Sequence, residues 1–176
     1  MNGILGGLAL LSSLLLIWQW LVGRRFPLHQ RQPASSFQPG ITLLKPLKGC
    51  DETTQDCLRS WLDQRYQGPV QIIFAVASAE DPVCKSVRNL LDSFPDANAQ
   101  LLICGPLAGA NLKVSKLLEA ERLAVHDFVV VSDADVKVPP DFLQNAVLPL
   151  QQPEVGLVNC FYCFANPTTL AMRWEA

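Results

Sequence analysis

The stretch that decides the fold is Phe128-Val129-Val130-Val131-Ser132-Asp133-Ala134-Asp135. Its β-branched residues predict a buried strand, which ends at two aspartates one residue apart. Such a pair suits a hard divalent cation, because Mg²⁺ and Mn²⁺ prefer oxygen ligands and are often shared with substrate phosphates. Asp133 and Asp135 therefore predict a metal and diphosphate site, with a sugar nucleotide as the leading ligand. The alternative is that they only mark the exit of a strand into a loop.

Outward from this stretch, predicted strands and helices alternate along the chain. The predicted strands cover residues 41–45, 70–77, 101–104, 128–132 and 155–161. The predicted helices cover residues 53–66, 82–94 and 111–125, with a shorter one from Pro139 to about Leu148. This alternation predicts an α/β fold with a mostly parallel sheet, whose ligands bind at the carboxyl ends of the strands. The loops to inspect are residues 45–51, 78–81, 105–113 and 133–137.

The N-terminal segment predicts a transmembrane anchor. Residues 1–23 contain no charged side chain, and about 20 apolar residues span a bilayer core. A cleaved signal peptide would have basic residues before the apolar run, whereas Arg24, Arg25 and Arg31 follow it. The positive-inside rule then predicts that the rest of the chain is cytoplasmic. Residues 24–39 are interpreted as a juxtamembrane linker.

The charge and the cysteines narrow the functional classes. A formal net charge of −2 argues against a nucleic-acid partner, which would require a basic face. Six cysteines in a cytosolic domain predict thiols rather than disulfides. The Cys160-Phe161-Tyr162-Cys163 spacing has no second pair, so buried thiols are favoured over a zinc or redox site.

Further candidate residues lie in the loops after the strands. Asp81 could bind the base or ribose of a nucleotide, although an aspartate before Pro82 is also typical of a helix start. Lys113 and Lys116 lie three residues apart and could bind a diphosphate, or could belong to a solvated helix face. Lys45 and Lys48 flank the first loop, and their spacing alone assigns them no role.

Several motifs together resemble one known family. Residues 41–49, Ile-Thr-Leu-Leu-Lys-Pro-Leu-Lys-Gly, closely resemble the opening of ceramide glucosyltransferases and their bacterial relatives. Glu80-Asp81-Pro82, Asn111-Leu112-Lys113 and Val131-Ser132-Asp133-Ala134-Asp135 follow in the same order and at similar spacing. Within this family the chain is most similar to the bacterial proteins associated with hopanoid biosynthesis. The resemblance covers roughly residues 40–161 and implies a GT-A fold.

The resemblance also implies an activity and residue roles. The family members are inverting glycosyltransferases, which here implies transfer of glucose or N-acetylglucosamine from a UDP-sugar to a ceramide-like or hopanoid hydroxyl. Asp81 matches the aspartate associated with the nucleotide, and Asp133 matches the aspartate that serves metal and diphosphate. Lys113 lies in the matching Asn111-Leu112-Lys113 motif and is the further candidate for binding the nucleotide-sugar. Asp135 differs from the residue common in ceramide glucosyltransferases and is expected to be the stronger ligand of Mg²⁺ or Mn²⁺. The implied location is a bacterial inner membrane.

Some family elements do not match within this chain. The family's catalytic base aspartate and its Gln-x-x-Arg-Trp motif come later, so the base is expected beyond Ala176. Leu170-Ala171-Met172-Arg173-Trp174 lacks the required first residue and is interpreted as a chance match. We therefore expect residues 40–176 to be the donor-binding half of a longer enzyme, inactive alone. The alternatives are a non-catalytic donor-binding or interaction module and, less favoured, a nucleotidyltransferase.

Overall fold

The structure is a computed structural model that describes residues 2–25, 36–106, 109–165, 168–170 and 172. The chain divides into two compact units, Met1–Gln32 and Pro33–Ala176. The predicted division into an anchor (residues 1–23), a linker (24–39) and a domain (40–176) distinguishes three parts rather than two, and it stays a prediction.

The first unit contains a single described helix, α1, Asn2–Arg25. Its 24 residues correspond to about 36 Å at 1.5 Å per residue, and it is long and apolar enough to cross a membrane. The Arg24 guanidinium lies 4.6 Å from the centre of the Trp20 ring. Aromatic and basic side chains thus meet at the end of the apolar run, where an interface would be expected.

The second unit is built on a four-stranded parallel sheet. The strands are β1, Ile41–Pro46; β2, Val70–Val76; β3, Ala99–Ile103; and β4, Phe128–Val131. The helices are α2, Thr54–Leu62; α3, Val83–Asp92; α4, Leu112–Glu121; and α5, Phe142–Val147, which runs into a 3₁₀ turn at Leu148–Gln151. The strand order is β3-β2-β1-β4, and the register pairs Ile41 with both Val70 and Phe128. The prediction of a parallel α/β sheet is confirmed.

Both faces of the sheet are covered by helices. Successive residues of a strand point to opposite faces, so Leu43 joins the core beneath α2, α3 and α5, whereas Leu44 joins a smaller core beside α4. All residues of β1 are buried, which explains its nearly continuous apolar sequence. Two of its residues are polar, Thr42 and Lys45, and Lys45 is a buried lysine in one of the two inner strands.

Two expectations about the last segment are wrong. Residues 155–161 do not form a strand, because among the described residues no neighbouring strand lies beside them to complete a hydrogen-bond ladder. Leu157 is consequently 84% exposed. Cys160 and Cys163 lie in or next to this segment and are exposed rather than buried, whereas Cys57, Cys84 and Cys104 are buried.

Candidate functional site

The candidate site lies at the carboxyl edge of the sheet, which we define as the loops that follow the four strands. The loop after β4 is the Asp-x-Asp loop, residues 133–138. Its first carboxylate, Asp133, forms an ion pair with Lys113 near the start of α4. Both side chains are about half exposed, so the pair is open to solvent. The structure therefore brings together two of the residues that the sequence predicted.

The backbone of the Asp-x-Asp loop is held by side chains beneath it. The carbonyl oxygen of Asp133 accepts a hydrogen bond of 2.6 Å from Lys45 Nζ, and that of Asp135 accepts one of 3.3 Å from Cys57 Sγ. Trp61 Nε1 donates to the carbonyl oxygen of Val136 at 3.0 Å. The loop is thus attached through its main chain, and the exposed Asp133 and Asp135 side chains remain available for a ligand.

Lys45 is the site residue to which sequence reasoning assigned no role. Its side chain is 0% exposed, lies 4.7 Å from the centre of the Trp61 ring and donates a second hydrogen bond to Ser132 Oγ at 3.2 Å. Burial lowers the pKa of the Lys45 ammonium to about 7, although Cys57 and the two loop aspartates act in the opposite direction. The available signal was a charged residue inside a mostly apolar predicted strand.

Asp81 connects the loops after β1 and β2. Its two carboxylate oxygens accept hydrogen bonds of 3.0 and 3.1 Å from the backbone N–H of Gly49, whose φ of +70° suits glycine. Its Oδ1 also accepts from the backbone N–H of Val83 at 3.0 Å, at the start of α3. The predicted role at a helix start is therefore confirmed, and the nucleotide role stays a prediction.

The two lysines of α4 have different environments. Asn111 caps the helix by accepting from the backbone N–H groups of Lys113 and Val114. Lys116 is buried and donates a 2.5 Å hydrogen bond to the Leu47 carbonyl oxygen. Burial lowers the pKa of the Lys116 ammonium, with Cys104 and Asp81 opposing the shift. Lys113 thus faces solvent and the Asp-x-Asp loop, whereas Lys116 holds the loop after β1.

The donor set fits a magnesium or manganese ion that completes its coordination with substrate phosphates. Asp133 and Asp135 supply the carboxylate oxygens that such an ion prefers. Within the described residues no group of three or more His, Cys, Asp or Glu side chains is placed to hold a metal by itself. The site is therefore unlike a structural zinc site, which protein ligands close completely.

Comparison with known proteins gives the family. The sequence profile of glycosyl transferase family 21 matches residues 5–176. The chain belongs to this family. Similar family members include ceramide glucosyltransferase 1 of Caenorhabditis elegans, 29% identical over 116 residues, which are 66% of this chain and 25% of that protein. The ceramide glucosyltransferase of Komagataella phaffii is 28% identical over 157 residues, which are 81% of this chain and 31% of that protein.

The family 21 chain therefore spans about a quarter to a third of these relatives. Their names confirm the resemblance to ceramide glucosyltransferases that the motifs predicted. The association with hopanoid biosynthesis stays a prediction.

Solved structures agree with the predicted GT-A fold. The mannosyltransferase PcManGT from Pyrobaculum calidifontis, in complex with GDP-Man and Mn²⁺, superposes with a TM-score of 0.65 at 25% identity, over 86% of this chain and 43% of that one. TarS of S. aureus superposes with a TM-score of 0.52 at 15% identity, over 64% of this chain and 19% of that one, and supports the fold alone. Arg173 and Trp174, interpreted above as a chance match, lie outside the described residues.

Proposed function

We propose that this family 21 chain is the donor-binding part of a membrane-anchored inverting glycosyltransferase. It would transfer glucose or N-acetylglucosamine from a UDP-sugar to the hydroxyl of a ceramide-like or hopanoid lipid. The observation that carries the proposal is the cluster of Lys113 with the Asp-x-Asp loop at the carboxyl edge of the sheet. The names of the ceramide glucosyltransferase relatives support the lipid acceptor, and the Mn²⁺ and GDP-Man complex of PcManGT supports metal-assisted donor binding.

In this proposal Asp133 and Asp135 hold Mg²⁺ or Mn²⁺. The ion would offset the charge that develops on the UDP leaving group, a contribution worth several kcal/mol. Lys113 binds the diphosphate from the side of α4, and Asp81 orients the nucleoside beside the loop that it already connects. In this proposal the described residues of the chain bind and orient the donor, and none of them is assigned as the base that deprotonates the lipid hydroxyl.

The helix α1 would bring this site to a lipid acceptor. It contains no charged residue before Arg24 and Arg25 at its end, a charge distribution that favours a cytoplasmic second unit. A catalytic unit attached to the bilayer by a short linker meets lipid substrates at high local concentration. We therefore infer residues 1–23 as the anchor and residues 24–39 as the linker, in a bacterial inner membrane.

Calorimetry on the whole chain in detergent micelles tests the proposal. UDP-glucose, UDP-N-acetylglucosamine and GDP-mannose are titrated with Mn²⁺ into the wild type and into Asp133→Asn and Asp135→Asn. We expect UDP-sugar binding that depends on Mn²⁺ and weakens in both variants. The control is Asp63→Asn, which removes an exposed ion pair with Arg59 outside the carboxyl edge.

Undiminished affinity in both loop variants would overturn the metal site. Equal affinity for GDP-mannose would overturn the uridine preference. Turnover is measured separately as UDP release in the presence of ceramide. Donor binding without turnover is expected both of a donor-binding part and of a non-catalytic module, whereas turnover by this chain would overturn the non-catalytic module.

A further inference from the structure

Lys45 is an unusual residue for its position. Lysine is almost never fully buried unless its charge is paired, because removing an ammonium from water is unfavourable. Here it occupies one of the two inner strands of the sheet with 0% exposure. Because burying this ammonium is unfavourable, the groups that it contacts should indicate why a lysine occupies this position.

Each of those groups belongs to, or lies beside, the Asp-x-Asp loop. Lys45 Nζ donates to the carbonyl oxygen of Asp133 at 2.6 Å and to Ser132 Oγ at 3.2 Å. The Trp61 ring, whose centre lies 4.7 Å from the same nitrogen, donates through Nε1 to the carbonyl oxygen of Val136. Lys45 and its aromatic neighbour therefore hold the main chain on both sides of Ala134 and Asp135.

These main-chain contacts affect the direction in which the carboxylates of Asp133 and Asp135 point. The main chain of Asp133 sets where its side chain leaves the loop, and the bond from Lys45 fixes that main chain from below. Groups that orient ligands in this way typically change metal affinity by about 10- to 100-fold when removed. Cys57 holds the carbonyl oxygen of Asp135 in the same manner at 3.3 Å.

We propose that Lys45 is a positioning residue that orients Asp133 and Asp135 for divalent-cation binding. This inference rests on the proposed function, since it assigns the support of the same metal site. It does not place Lys45 in contact with donor or metal. The buried ammonium acts through the main chain of the Asp-x-Asp loop.

The second buried lysine provides a matched control. Lys116 is 5% exposed, and its Nζ donates to the carbonyl oxygen of Leu47, in the loop after β1. Lys116→Met therefore removes a buried ammonium and one carbonyl partner without touching the Asp-x-Asp loop. Lys45→Met also removes a buried ammonium and a bond to a backbone carbonyl, together with the bond to Ser132 Oγ, beneath the Asp-x-Asp loop. The two variants therefore make similar changes in the core and differ in the loop affected.

The experiment measures Mn²⁺ affinity by electron paramagnetic resonance on the whole chain in detergent micelles, with UDP at a fixed concentration to supply the phosphate ligands that complete the coordination. We expect Lys45→Met to raise the Mn²⁺ dissociation constant about 10-fold or more, and Lys116→Met to leave it near the wild-type value. Circular dichroism verifies that each variant is folded. If Lys45→Met does not fold, Lys45→Gln replaces it, because the glutamine side chain is shorter but still carries a hydrogen-bond donor. We then expect a smaller decrease in Mn²⁺ affinity.

Three results would overturn the inference. Tighter Mn²⁺ binding in the Lys45 variants would mean that Lys45 acts only as a repelling charge near the site. Unchanged affinity, or an equal loss in Lys116→Met, would mean that its role is confined to stability. Absence of Mn²⁺ binding in the wild type would overturn the metal site itself. The wild-type measurement therefore tests the proposed function, and the variants test only the role of Lys45.

Discussion

The ammonium of Lys113 forms an ion pair with the carboxylate of Asp133, so a cationic side chain lies where a divalent cation is proposed to bind. The two groups come from different elements, α4 and the loop after β4. In the proposed function, a metal ion at Asp133 would compete with this ammonium, and Lys113 displaced from the pair would be free to bind the diphosphate. The pair would then link metal binding to donor binding through one exchange of partners.

Lys113→Met should change the two affinities in opposite directions. Removing the competing ammonium strengthens Mn²⁺ binding by up to about fivefold, the range of an exposed ion pair worth about 0.2–1 kcal/mol. Removing a phosphate ligand weakens UDP-sugar binding in the presence of saturating Mn²⁺. Calorimetry with each ligand measures both effects. Arg122→Met is the control, since it removes an exposed pair with Glu119 on the same helix, and weaker Mn²⁺ binding in Lys113→Met would contradict the competition.

Variants of Asp81 separate its structural role from its proposed nucleotide role. Asp81→Ala removes the acceptor of both Gly49 and Val83, so we expect a loss of about 1–2 kcal/mol in the free energy of unfolding. Asp81→Asn retains one oxygen that can accept from Val83, and its stability should fall less. Its UDP-sugar affinity should fall nonetheless. Wild-type affinity in folded Asp81→Asn would leave this residue with a structural role only.

Gly68 lies where a side chain has no room. A Cβ at this position would lie 2.5 Å from the carbonyl oxygen of Gln38 and 2.9 Å from that of Pro39, and neither backbone atom can move cheaply. Gly68→Ala should therefore lower the free energy of unfolding by about 1–3 kcal/mol, as overpacking does elsewhere. Urea denaturation measures the effect. Gly105→Ala is the control, because a Cβ there meets no described atom within 4 Å, and equal losses would argue against the clash.

Tyr66 should titrate unusually late. Its hydroxyl donates to the carbonyl oxygen of Pro39 at 2.6 Å, and burial raises the pKa of the phenol to about 12. Because the folded-state pKa lies above the ordinary value of about 10, the neutral phenol stabilises the fold below about pH 10, and this contribution is lost as the pH rises towards 12. Absorbance at about 295 nm follows the ionisation. Tyr66→Phe should abolish the late phase, and its persistence would assign that phase to another group.

The sheet could be predicted because each strand carries a local signal. β1, β2 and β4 begin at the predicted residues, Ile41, Val70 and Phe128, since buried parallel strands are continuous apolar runs between turn residues. The segment at residues 155–161 carries the same local signal without forming a strand. A strand forms only where a second strand lies beside it to complete the hydrogen bonds, and the sequence of the segment alone does not show whether such a strand is present.

The site was only partly predictable for a similar reason. Asp133 was identified from the loop after β4 and Lys113 from its position near the loop before α4, and the structure pairs them. Helical spacing could not distinguish Lys113 from Lys116, because which lysine faces inward depends on how α4 packs against β1 and β2. The role of Lys45 could not be predicted because its contact with the Asp-x-Asp loop joins residues that are far apart in the chain.

The inner position of β1 has a consequence for folding. Lys45 and Ser132 are 87 residues apart in sequence, so their contact forms only after β4 has docked against β1. Contacts of this separation form late, because the entropy of closing the intervening chain must first be overcome. A chain in which β4 has not paired with β1 would lack the contacts of Lys45 with Ser132 and Asp133. A donor site built on these contacts would be complete only once this pairing has formed, so ligand affinity would report on the docking of β4.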